Sequence, residues 1–213
     1  RLVGSEMCIR DRAAHTVIDA EGRAVTPGFI DIHRHGDVAA FWDNFGQLEL
    51  SQGLTTVING NCGMSAAPVD KGNKGLLNYL RPVIGDILPY VSTDTMAGYF
   101  RSLGSIALPL NCGMLVGCGV VWSSVLGGEH PTEDETKKFR KILERELASG
   151  AMGVSLGLGY APECFLTTDE LISGLEPLRN TDIPITFHMR QEGDGVCDAI
   201  REVIKIGETL HAH

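Results

Sequence analysis

Short apolar runs alternate with helix-like stripes along almost the whole chain, and this alternation restricts the fold more than any other feature. Phe29–His33, Leu54–Ile58, Met114–Val116, Met152–Leu158 and Ile183–Phe187 read as strands. Most lack a clean apolar–polar alternation, as expected of strands covered on both faces of a parallel sheet. Between them, Thr132-x-x-Glu135 and Thr167-x-x-Glu170 are capping boxes. The first opens an apolar stripe of Phe139, Ile142, Leu143 and Leu147 that runs to Gly150. The second precedes Leu171, Ile172 and Leu175, and Pro177 bends or ends that helix. Met96, Tyr99, Phe100 and Leu103 form a stripe closed by Gly104, and Val196, Ile200, Val203 and Ile204 form another. Gly53 sits where the residue after a helix end would be, and segment 63–91, rich in Gly and Pro, reads as a long irregular connection. The alternation predicts an α/β fold with right-handed crossovers. About five strands are visible, whereas a closed (β/α)8 barrel needs eight and typically ~250 residues. The expected fold is therefore a partial TIM-like barrel holding about strands 1–5.

Composition narrows the function. The chain has 213 residues, a formal net charge of −9 and 43% hydrophobic residues. The apolar content excludes a disordered tail, and the acidic balance argues against a nucleic-acid partner, which would need a basic face. No apolar run approaches the ~20 residues of a membrane-spanning helix. The six cysteines, at 8, 62, 112, 118, 164 and 197, form no CxxC pair and predict reduced thiols in a cytoplasmic protein. No signal peptide is visible. Residues 1–12, RLVGSEMCIRDR, follow neither a strand nor a helix period and read as a translated sequencing adaptor. Cys8 falls within that string. At the other end, residues 194–210 read as a helix, and the chain stops at His211-Ala212-His213 with no closing strand, as a gene fragment would.

Four places carry chemistry. His33-Arg34-His35 ends the first strand. Residues i and i+2 of a strand point to one side, so two imidazoles there can share a metal ion at the strand end where barrels place their active sites. Two exposed loop histidines are the plainer alternative. Cys62 follows the second strand in a Gly-Asn-Cys-Gly turn and reads either as a small buried hydrophobe or as a thiolate ligand suited to zinc. His188 ends the fifth strand. Arg190, two residues on, could grip a substrate carboxylate bidentately or pair with Glu192 or Asp194. Tyr160 lies in the loop after the fourth strand, and Asp37 reads as a residue that orients a ligand histidine. Cys112, Cys164 and Cys197 read as packing residues. The dinucleotide, P-loop and nucleophile-elbow patterns are missing from the sequence.

Several of these segments together resemble a known family. PGFIDIHRHGD (Pro27–Asp37) resembles the first-strand signature of the amidohydrolase superfamily. Gly60-Asn61-Cys62-Gly63, GAMGVSLGLGYAPECFLTTDEL (Gly150–Leu171) and HMRQEG (His188–Gly193) resemble its N-acyl-D-amino-acid deacylase branch, in the same order, over residues 17–213. The resemblance implies that 13–27 is the remnant of a flanking small β-domain and 28–213 the N-terminal part of the barrel. It implies Zn2+, with Cys62 and His188 holding a tight site and His33 and His35 framing a second, weaker site or the same pocket. Tyr160 and Arg190 would meet the substrate, a small N-acyl-D-amino acid, whose amide C–N bond is hydrolysed by zinc-activated water. The family's proton-shuttling aspartate and a further histidine ligand would lie beyond His213, so the chain alone is expected to be inactive. Cys118, in LVGCGVVW, departs from the Gly-His-Gly of relatives. The alternatives are a ring-opening amidohydrolase, such as a dihydroorotase or hydantoinase, and a non-catalytic metal-binding chain. The former normally needs a bridging lysine on the fourth strand, and Met152–Leu158 has none.

Overall fold

The computed structural model describes residues 15–212. The adaptor-like string 1–12 with its Cys8, residues 13–14 and His213 lie outside the described residues. Within the stretch 13–27 expected as a β-domain remnant, residues 16–27 carry no strand pairing and turn at Glu21-Gly22, where the Arg23 N–H donates to the Ala20 carbonyl at 2.8 Å.

Five strands form one all-parallel sheet in sequence order. They are β1 (Phe29–Asp31), β2 (Leu54–Asn59), β3 (Asn111–Gly117), β4 (Gly153–Gly157) and β5 (Ile185–His188). Each falls within a few residues of its sequence expectation. Helices make the crossovers: α1 (Gln47–Ser51), α2 (Lys74–Ile84), α3 (Met96–Gly104), α4 (Cys118–Val125), α5 (Glu133–Ala148) and α6 (Thr168–Gly174), with α7 (Val196–Leu210) following β5. Both capping boxes form, at Thr132 and Thr167. Gly53, at φ +82°, takes the left-handed backbone that ends α1.

The sheet is curled. In a flat sheet β2 and β5 would lie roughly 14 Å apart, three strand spacings. Yet the Thr186 hydroxyl of β5 reaches Asn61 Oδ1, just after β2, at 3.5 Å. Strands that meet across two intervening neighbours must bend around a concave face, as in a half-closed barrel. β4 is buried along its whole length, whereas Phe29 and Ile30 of β1 are exposed. The outer layer packs tightly, with Trp122 of α4 stacked on Phe139 of α5 at 3.9 Å between ring centroids.

Two helices depart from the sequence reading. α2 lies inside the segment expected to be irregular. Asn73 caps it by accepting from the Leu76 N–H, and Leu76, Leu80 and Ile84 make its buried stripe despite the internal Pro82. α4 carries no apolar–polar period because Cys118 to Trp122 are all buried. Among the described residues no helix is long and apolar enough to cross a membrane.

Candidate metal centre

Every candidate ligand stands at or just beyond the C-terminal end of a strand. β1 ends at Asp31, two residues before His33, but its pairing to β2 is prolonged by the Arg34 N–H, which donates to the Ile58 carbonyl at 3.1 Å. The Gly36 N–H donates to Asn59 Oδ1 at 2.9 Å. Asn61 completes the tie: its Nδ2 donates to the carbonyls of Ile32 and Arg34, on either side of His33, and to that of Ile58. The residue beside Cys62 therefore holds the backbone that carries His33.

The turn after β2 needs an unusual backbone. Gly60 (φ +78°), Cys62 (φ +57°) and Gly63 (φ +73°) all lie in the left-handed region. A side chain on Gly60 would strike the Leu115 carbonyl, and one on Gly63 would reach the Gly157 N–H at 2.9 Å. For Cys62, which has a side chain, that backbone costs roughly 1–2 kcal/mol. The surroundings hold it there. The Gly63 N–H donates to the Ser155 hydroxyl at 3.0 Å, that hydroxyl donates to the Gly60 carbonyl at 2.5 Å, and the Val120 N–H of α4 donates to the Gly63 carbonyl at 3.1 Å.

The result is a three-residue cluster. One donor atom each from His33, His35 and Cys62 lies within 4.8 Å of the others. His33 Nε2 is 3.2 Å from Cys62 Sγ, and the two imidazoles meet edge to face with centroids 5.7 Å apart. His188 stands beside the cluster, its Nδ1 3.9 Å from Cys62 Sγ. The geometry groups His33 and His35 with Cys62 and leaves His188 within reach of the same thiol, as in the single-pocket alternative. The reason is adjacency: β1 neighbours β2, whereas β5 arrives only across the curl.

Electrostatics and satisfaction both fit a cation. Burial, then the neighbouring His33 and His188, pushes the His35 pKa down and keeps its ring neutral, the form that ligates. His35 Nδ1 is buried without a hydrogen-bond partner. Burial, with Glu163 and Glu192 nearby, pushes the Cys62 thiol up, so a bound cation is what would hold it as thiolate. Two imidazoles and a thiol form a borderline-soft donor set that suits zinc.

Tyr160 packs its ring on His188 at 4.6 Å, and its hydroxyl lies 3.5 Å from His188 Nδ1. Arg190 is occupied differently from either sequence alternative. It forms a fork with Glu202 on α7, Nε to Oε2 and Nη2 to Oε1, both at 2.9 Å. A substrate carboxylate would have to displace Glu202. Asp37 also differs from expectation. Its Oδ2 accepts the Ala66 N–H at 2.8 Å, bracing the loop after Cys62 instead of a histidine, and burial pushes its pKa up to about 6. Cys118 is fully buried at the start of α4, and Cys112 and Cys164 are partly buried, but Cys197 is exposed on α7 rather than packed.

Glu163 was not legible as a site residue. It is 1% exposed, its Oε2 accepts the Gly157 N–H at 2.7 Å, and its Oε1 has no partner. Burial pushes its pKa up to about 8. A side chain at Gly63 or Gly119 would run into its carboxylate, so it wedges the Cys62 turn, α4 and β4 together. Nothing in a Pro-Glu-Cys-Phe stretch marks a buried acid.

Comparison with known proteins follows the same lines. Residues 16–104 match the amidohydrolase family. The chain is 33% identical over 95% of its length to a D-aminoacylase of Alcaligenes xylosoxydans xylosoxydans, and 35% identical over 91% to an N-acyl-D-aspartate deacylase of the same organism. It superposes with a TM-score of 0.77 and 30% identity, over 87% of its length, on the crystal structure of N-acyl-D-glutamate deacylase from Bordetella bronchiseptica complexed with zinc and a phosphonate inhibitor, a mimic of the tetrahedral intermediate. The chain spans 41% and 39% of the two curated relatives, and 39% of the solved one. With a curled parallel sheet and ligand-type side chains at its C-terminal ends, the chain belongs to the amidohydrolase family. Within that family it falls in the D-aminoacylase branch.

Proposed function

We propose that this chain forms the metal-binding part of a cytoplasmic zinc hydrolase that cleaves the amide C–N bond of small N-acyl-D-amino acids. The observation that carries the reading is the convergence of His33, His35 and Cys62 within 4.8 Å, with His188 Nδ1 3.9 Å from the thiol. Relatives that deacylate N-acyl-D-amino acids, one of them solved with zinc, support the reaction class. The five described cysteines are free, which supports a reducing compartment.

In this reading His33, His35, Cys62 and His188 hold the metal. When bound, zinc supplies Lewis acidity that polarises a carbonyl and acidifies water. The chain's own residues prepare the pocket. Asn61 keeps His33 beside Cys62. The Tyr160 hydroxyl, 3.5 Å from His188 Nδ1, orients that ring and can donate to a substrate oxygen. A ring-opening reading gains nothing from β4. Its inner Ser155 is committed to the Cys62 turn, and the strand has no lysine to bridge two metals.

Cobalt(II) titration of the 213-residue chain tests this reading. A thiolate-to-cobalt absorption band that Cys62→Ala abolishes, with affinity falling more than about 100-fold, is expected; outer residues alone cost 10–100-fold. Absence of that band in the unsubstituted chain would sink the reading. In the complete gene product, chelation is expected to stop N-acyl-D-amino-acid turnover.

A further inference from the structure

Arg190 is the most fully committed charged side chain beside the centre. Besides its fork on Glu202, its Nη1 donates to the Cys164 carbonyl at 2.8 Å and its Nη2 to the Leu166 carbonyl at 3.0 Å. Thr168 Oγ1, at the start of α6, donates to Glu202 Oε1 at 3.0 Å. The pair is mostly covered, with side-chain exposures of 29% and 12%. One guanidinium thus joins β5, the returning leg of the β4 loop and α7.

That loop carries Tyr160. It leaves β4 beside β5, with the Leu158 N–H donating to the His188 carbonyl at 2.9 Å. It closes on itself where the Cys164 N–H donates to the Tyr160 carbonyl at 2.8 Å. The carbonyls of Cys164 and Leu166 then go to Arg190. Held at both legs, the loop has little freedom to shift Tyr160 against the His188 ring.

We propose that Arg190 is a positioning residue: with Glu202 it locks the β4 loop to β5 and α7, and so sets Tyr160 against His188 and His188 against Cys62. The inference rests on the metal-centre reading for its effect on affinity, but not for its effect on ring geometry. A planar fork can serve Glu202 and two carbonyls at once, and an ammonium cannot reproduce that arrangement.

The test uses the 213-residue chain with Arg190→Lys, Glu202→Gln and, as a remote control, Arg179→Lys, which weakens the Arg179–Glu176 pair. Two quantities are read: the Tyr160–His188 ring NOE in metal-free protein, and cobalt(II) affinity. Arg190→Lys is expected to lose the NOE and weaken cobalt binding by about 10–100-fold. Glu202→Gln, which keeps one acceptor oxygen, is expected to do both more mildly, and Arg179→Lys to do neither. If Arg190→Lys does not fold, Glu202→Gln decides the matter. A lower melting temperature with the NOE and affinity unchanged would overturn the proposal and leave the pair a structural brace. If the unsubstituted chain binds no cobalt, the metal-centre reading falls, while the ring NOE still decides whether Arg190 positions the loop.

Discussion

The turn that carries Cys62 and the segment that carries His33 and His35 meet at one site but are held in opposite ways. Cys62 is 7% exposed and lies in left-handed backbone, pinned by Ser155, Val120 and the Glu163 wedge. His33 is exposed and follows an outer strand of three residues whose Phe29 and Ile30 are 57% and 60% exposed. One half of the donor set is thus part of the core, and the other half is laid against it through Asn61. A change at the turn should cost stability and metal together, whereas a change at the edge should cost metal alone.

The largest expected effect comes from Glu163. Its folded pKa, about 8, lies above the ordinary glutamate value of 4.5, so the folded state holds a proton that the unfolded state gives up. The stability linked to this group is fully present below about pH 4.5, falls as pH rises toward 8, and levels off above. At roughly 1.4 kcal/mol per pH unit, the loss is on the order of 5 kcal/mol. Urea unfolding of metal-free protein at pH 5, 6, 7 and 8 should show this slope, and Glu163→Gln should flatten it above pH 6. Asp37, raised to about 6, sustains a residual slope below that. An unchanged slope in the variant would remove Glu163 from its role as a neutral wedge.

Gly157→Ala should come next. A methyl there would strike the Cys62 carbonyl and lie 2.8 Å from the Tyr160 ring. Overpacking at such a junction costs about 1–3 kcal/mol, read as a lower denaturation midpoint together with weaker cobalt binding. Metal affinity that survived this substitution would mean that the turn is less rigid than its hydrogen bonds imply.

The smallest stability effect is expected at the edge. His33→Ala removes an exposed ring, so unfolding free energy should move by less than about 0.5 kcal/mol. Cobalt affinity should nonetheless fall, because His33 Nε2 stands 3.2 Å from the thiol. A large loss of stability would show that the edge is as much a part of the core as the turn.

Much of this arrangement was legible in the residue order. The five strands, both capping boxes and the His-x-His and Gly-Asn-Cys-Gly sites lie where their local patterns point. α2 was not legible because Gly75 and Pro82 punctuate it like a loop, and its stripe of Leu76, Leu80 and Ile84 is sparse. α4 was not legible because a helix buried on all sides shows no period. Arg190 offered the wrong partners because Glu192 and Asp194 are near in sequence, whereas Glu202 comes into reach only through the folding back of α7.

The sequence alone determined which residue types end each strand and where helices start, because caps, periods and turn glycines act within a few residues of one another. Only the tertiary structure decided that His33 joins Cys62, that Arg190 holds Glu202 and that Glu163 is buried. The pairs His33–Cys62 and Cys62–His188 are separated by 29 and 126 residues. The pairing of β1 with β2 sets the first contact and the curl of the sheet sets the second, and no local pattern encodes either.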